Sequence, residues 1–147
     1  MAAKANIQDL KDLGFEQSQF RYEGDDTGWN TFLASVLADV EQITREQVGS
    51  AAYDAIVDGA RLVYLKNAEK EFCAADLWRR VESFERGTAQ VNGAGTGAET
   101  IGSRPLENAN KAEERAWDYL ARVTGTNAMQ SFGHVQSGAL EEEATTS

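Results

Sequence analysis

From Tyr53 to Phe84 the apolar residues Tyr53, Ile56, Val57, Ala60, Val63, Tyr64, Ala68, Phe72, Ala75, Leu77, Trp78, Val81 and Phe84 recur mostly at threes and fours, and a run of that length leaves few folds open. Side chains three and four apart share one face of an α-helix, so the run predicts a long amphipathic helix that must bury its stripe against other elements. Ser50 stands where it can cap the run, and Gly87 ends it. Asp58-Gly59 is the expected break or kink, because glycine inside a helix costs about 1 kcal/mol relative to alanine.

Two more stripes flank it. Trp29, Phe32, Leu33, Val36, Leu37, Val40, Ile43 and Val48 predict a helix capped by Asp26 or Thr27 and stopped by Gly49. Leu106, Ala109, Ala112, Ala116, Trp117, Leu120 and Val123 predict another that ends at Gly125, with Pro105 in its first turn, where a missing N–H is tolerated. Near the start, Asn6 can cap a short helix from Ile7 to Leu13, which Gly14 terminates. Phe15, Phe20 and Tyr22 lack helical spacing and predict an ordered loop whose aromatics pack on the core.

Residues 87–103 hold five glycines and a single charge, Glu99, and read as a flexible loop. Residues 126–147 have no periodicity and close on Glu-Glu-Glu-Ala-Thr-Thr-Ser, a composition expected to be disordered alone. The expected fold is all-α: a small bundle of three to four core helices with a long central glycine-rich loop and an extended C-terminal tail. One domain, 1–125, is expected to carry the fold, and 126–147 to be an extension that orders on a partner.

Composition then removes whole classes of function. At 147 residues, 41% hydrophobic, a single domain can bury a core without metal or disulfide support. One cysteine, Cys73, and one histidine, His134, exclude an internal disulfide framework, multi-cysteine zinc sites and two-imidazole motifs. No apolar stretch approaches the roughly 18 residues of a membrane helix, and Met1-Ala-Ala-Lys-Ala-Asn-Ile lacks an apolar signal core; the expectation is a soluble, intracellular chain without membrane contact.

The net charge of −10 argues against a protein whose main task is gripping phosphates. That charge is uneven. Residues 1–58 carry 11 acids and 4 bases, residues 59–87 carry 5 and 6, residues 88–123 carry 5 and 4, and the remainder carries 3 and 0. Arg61, Lys66, Lys70, Arg79, Arg80 and Arg86 make the middle helix the one net-basic stretch, suited to packing against acidic parts of this chain or of another subunit.

No constellation reads as catalytic, and no cofactor is expected. Gly93-Ala-Gly95-Thr-Gly-Ala98 matches GxGxxA but lacks the preceding strand and the later acid of a dinucleotide site, and no Gly-Lys-Ser/Thr makes it a P-loop. Glu23, Asp25 and Asp26 lack the alternation and the distal glutamate of a calcium loop and read as a helix cap. Cys73 has no histidine near it in sequence and reads as an inert thiol. Arg79 and Arg80, flanked by Asp76, Glu82 and Glu85, read as members of intrahelical ion pairs. Trp29, Phe32, Trp78 and Trp117 read as core anchors or subunit contacts.

A short N-terminal helix, an Asp-Asp turn, and the stripe Trp29-xx-Phe-Leu-xx-Val-Leu-xx-Val40-Glu-xx-Ile43 come first. A glycine and Tyr53, a long Ala-rich helix with Tyr64, Ala68 and Glu69, a glycine loop and a last Ala/Trp/Leu helix follow. Over roughly residues 6–123 this order resembles the head-to-tail connector (adaptor) proteins of tailed bacteriophages. The resemblance implies a ring, usually of twelve copies, bound under the portal protein and followed by a stopper or tail-terminator protein. It implies location in the virion neck, with assembly in the host cytoplasm, and transient, non-specific passage of DNA through an acidic channel.

On that resemblance the C-terminal extension docks on the portal through Met129, Phe132, His134, Val135 and Leu140. Val91, Asn92, Glu99 and Ile101 of the glycine loop line the lumen or face the next ring. The alternative of another class is a helical DNA-packaging or regulatory component, like a small terminase subunit, that uses Arg79 to Arg86; salt-dependent DNA binding discriminates it. A small helical enzyme, for which no residue set can be named, and a generic helical interaction protein complete the readings.

Overall fold

The computed structural model describes the backbone of residues 3–91 and 95–125, and their side chains outside 86–103. Its elements are α1 (Ile7–Lys11), a 3-10 turn (Gln17–Phe20), α2 (Asp26–Val48), α3 (Ser50–Ala55), α4 (Gly59–Val91) and α5 (Gly95–Thr124). No strand occurs among the described residues, so the all-α expectation holds.

Local chemistry sets the boundaries. Asn6 Oδ1 accepts from Asp9 N–H while Asp9 Oδ2 accepts from Asn6 N–H, which starts α1 as foreseen. The cap of α2 is Asp25, rather than Asp26 or Thr27: its Oδ1 accepts from Gly28 N–H at 2.9 Å. A Cβ at Gly28 would sit 2.5 Å from Asp25 Oδ2, so a larger residue there would push the capping side chain out of place. Asp26 instead stands in the first turn, near the positive end of the helix dipole, and accepts from Gln17 Nε2.

The break at Asp58-Gly59 is real. α3 ends at Ala55, Ile56 is extended, and Gly59 has φ +78, a left-handed conformation that residues with a Cβ rarely adopt. The cap residue of α3 is Gly49, not Ser50, because the chain must reverse there at φ +95 and Ser50 is already helical.

Two expectations fail in the second half. Helical backbone reaches Val91 and resumes at Gly95, in place of a loop over 87–103. Once a helix is nucleated by packing, each further residue adds one hydrogen bond, so the glycines weaken these ends without abolishing them. Pro105 therefore lies inside α5, not in its first turn, and leaves one rung of the helix unpaired.

α4 and α5 form an antiparallel hairpin. Arg61 Nε donates to Val123 O, Tyr64 stacks on Tyr119, Phe72 meets Trp117 edge-on and Arg79 pairs with Glu113, so the numbering runs in opposite directions along the two helices. Ala74 and Ala75 pack on Ala112, and Ala68, Ala109 and Ala116 are fully buried, which lets the two backbones approach closely. The front of the chain packs on the same hairpin, and Leu13 and Phe15 reach its alanine cluster. Its contact is aromatic: Phe20 lies 5.5 Å from Trp29 and 5.2 Å from Phe32, and Phe15 meets Trp78 at 4.9 Å, as expected for loop aromatics that join the core.

Candidate functional site

Four residues after Leu65 and four before Cys73, Glu69 sits on the buried face of α4 and is wholly shielded from solvent. Leaving a carboxylate there without partners would cost several kcal/mol. Four donors converge on it. The backbone N–H groups of Lys4 and Ala5 donate to Oε1 at 2.8 and 2.9 Å, and the Tyr53 hydroxyl donates to Oε2 at 2.5 Å. Thr44 Oγ1 lies 2.9 Å from Oε2 and slightly farther from the carbonyls of Val40 and Glu41; its single proton goes to the charged acceptor.

Charge is balanced around the Tyr53 ring. Lys4 Nζ stands 4.9 Å and the Arg45 guanidinium carbon 4.2 Å from its centroid. Arg45 is held in turn by Glu41 at 2.6 Å and Asp54 at 2.9 Å, and its hydrogen bond with Glu41 raises its pKa. Burial, then the hydrogen bond to Glu69, pushes the Tyr53 phenol above its ordinary range, so it remains a donor.

The site therefore joins the N-terminal segment, α2, α3 and α4 through one side chain. Both oxygens of Glu69 are engaged by donors, which suits a clasp between elements. Sequence reasoning noted Glu69 only as part of a helix pattern. The available signal was an acid on the apolar face, at helical spacing from Leu65, Ala68, Phe72 and Cys73.

Other candidates take ordinary places. Cys73 is fully buried, and burial, reinforced by the charges of Glu69 and Asp76, pushes its thiol up and keeps it protonated. His134 lies outside the described residues. Arg80 pairs with Asp76 one turn away, as foreseen, but Arg79 reaches across the hairpin to Glu113 instead of pairing within its own helix. No cluster of metal-ligating side chains is found among the described residues.

Trp29 is buried, while Phe32, Trp78 and Trp117 are half-buried, and all four have aromatic partners within the chain. Trp117 Nε1 also donates to Glu113 at 3.4 Å. Val91 is the last residue of α4, and Glu99 and Ile101 belong to α5; Asn92 lies outside the described residues. So do Met129, Phe132, Val135 and Leu140. No helix among the described residues is long and apolar enough to cross a membrane. No family model, curated protein or solved structure matches this chain.

Proposed function

We propose that this chain is a structural assembly protein, a head-to-tail connector that forms a ring below the portal of a tailed bacteriophage and passes DNA toward the tail. The observation that carries this reading is the order of helices: a short capped α1, the Asp25-Asp26 turn, α2, a short α3 after Gly49, and the long α4 with α5. It repeats the order on which the sequence resemblance rests, except that helix replaces most of the glycine loop. Surface charge supports it, because Glu16, Glu23, Asp25 and Asp26 are all exposed on the front part of the chain. An acidic lining repels phosphates and lets DNA slide, whereas a basic one would hold it.

The packaging-component alternative draws less support. Arg79 and Arg80, its proposed DNA contacts, are both engaged in ion pairs.

The test is the mass of the full chain alone and mixed with a candidate portal protein, with and without residues 126–147. The expected result is a defined complex with portal that is lost on truncation while helix content remains. A persistent monomer with no complex would overturn the reading, and DNA binding that weakens steeply with salt would favour the alternative.

A further inference from the structure

Every cation of α5 lies on one side of it. Arg104, Lys111, Arg115 and Arg122 are all exposed and follow one another at seven, four and seven residues. At 3.6 residues per turn this keeps them within about 40° of a single line that runs for about 27 Å. A chain of net charge −10 thus presents a straight basic ridge. Its C-terminal end is ordered before any contact is made: Tyr64 and Tyr119 stack at 6.4 Å, and the Arg122 guanidinium lies 5.6 and 5.8 Å from their centroids. Tyrosine and arginine held in this way are the residue types that dominate protein contacts.

The outward face of α2 has the opposite character. Asp39 and Glu46 are exposed and seven residues apart, the spacing found twice on the ridge, and Ile43 between them is 39% exposed. Beside them runs a groove of about 570 Å³ that passes Ala38, Glu46 and Gly49. The one cation in it, Arg45, is already paired with Glu41 and Asp54.

We infer that the α5 ridge of one copy seats in the α2 groove of a second copy. The cation line of α5 and the Asp39–Glu46 line beside the α2 groove are complementary in sign and in repeat, and complementarity of this kind fixes register and partner choice. Glu107, Glu114 and Asp118 border the ridge on one side, so the contact is confined to the line of cations itself. Ridge and groove are different surfaces of the same chain, so the contact is heterologous and copies add head to tail. The inference rests on the assembly reading above for the expectation of self-association and names the surfaces that carry it.

The test uses sedimentation of the full-length chain at about 50 mM and about 500 mM salt, where charge contacts are respectively weakly and strongly screened. One variant combines Arg104→Glu, Lys111→Glu and Arg122→Glu, sparing Arg115, which pairs with Glu71. The other combines Asp39→Lys and Glu46→Lys. The wild type is expected to self-associate at low salt and dissociate at high salt. Each variant alone should associate on the order of a hundredfold more weakly.

Mixing the two variants should restore assembly, because each then meets a groove or ridge of opposite charge. A misfolded ridge variant would show in its circular dichroism, and the α2 variant then decides alone. A monomeric wild type at low salt, undiminished assembly of a folded variant, or no recovery on mixing two folded variants overturns the contact. Salt-insensitive assembly that still binds portal would leave the connector reading standing without this contact, and salt-sensitive assembly that ignores portal would do the reverse.

Discussion

α4 is held by two different kinds of contact, although Leu13 and Phe15 of the front also touch the second. Toward the front of the chain, one carboxylate, Glu69, gathers donors from the N-terminal segment, α2 and α3. Toward α5, the contact is a seam of small side chains in which Ala74 and Ala75 meet Ala112, with ion pairs such as Glu71–Arg115 at its edge. The first is directional and rests on one residue; the second is distributed and rests on closeness. A polar junction fails when an acceptor is lost, because several buried donors are orphaned together. An alanine seam has no donor to orphan and fails when volume is added.

The largest effect should come from breaking the clasp. Glu69→Gln puts an amide N–H₂ where two donors already point, and is expected to cost about 3 kcal/mol or more in chemical denaturation, with faster hydrogen exchange at Lys4 and Ala5. Ala112→Leu should cost about 2 kcal/mol, measured in the same way, and leave the exchange at Lys4 and Ala5 unchanged. If the seam substitution proved the more damaging, or loosened the N-terminal segment, the two contacts of α4 would not be independent.

The smallest effect sharpens the clasp itself. Tyr53→Phe keeps the ring and its two cations, removes one donor to Glu69, and should cost about 1 kcal/mol at neutral pH. The phenol's pKa is raised in the folded chain, so its contribution is fully present below the ordinary tyrosine value near 10 and is lost as pH rises above it. Thermal unfolding of the wild type should therefore weaken more steeply above about pH 10 than that of Tyr53→Phe. Parallel curves would show that the hydroxyl contributes nothing to the junction.

Much of the fold was legible because it rests on short-range rules. The apolar periods of α2, α4 and α5, the Asn6 cap, the stop at Gly49 and the break at Gly59 all depend on residues within a turn or two of one another. Where competing local options existed, the sequence misled. Asp25, Asp26 and Thr27 are all capable caps, and only the approach of Gly28 to Asp25 selects the first. Glycines between Gly87 and Gly102 argued for a loop, yet the helices on either side extend into that stretch.

The clasp was hidden for a different reason. Lys4, Thr44, Tyr53 and Glu69 are each unremarkable where they stand, and the donors to Glu69 come from 16 to 65 residues away. The ridge on α5 is the converse: its spacing can be read directly from the residue numbers, but its exposure depends on which face of α5 the hairpin buries. By itself the sequence determined that this chain is helical, where its long stripes lie, and how unevenly its charge is spread, since these follow from backbone geometry and composition. Only the tertiary structure decided that Glu69 is a shared acceptor, that Arg79 crosses to Glu113 and that the α5 cations face outward. Those outcomes depend on how helices far apart in sequence are brought together, and no local spacing encodes that.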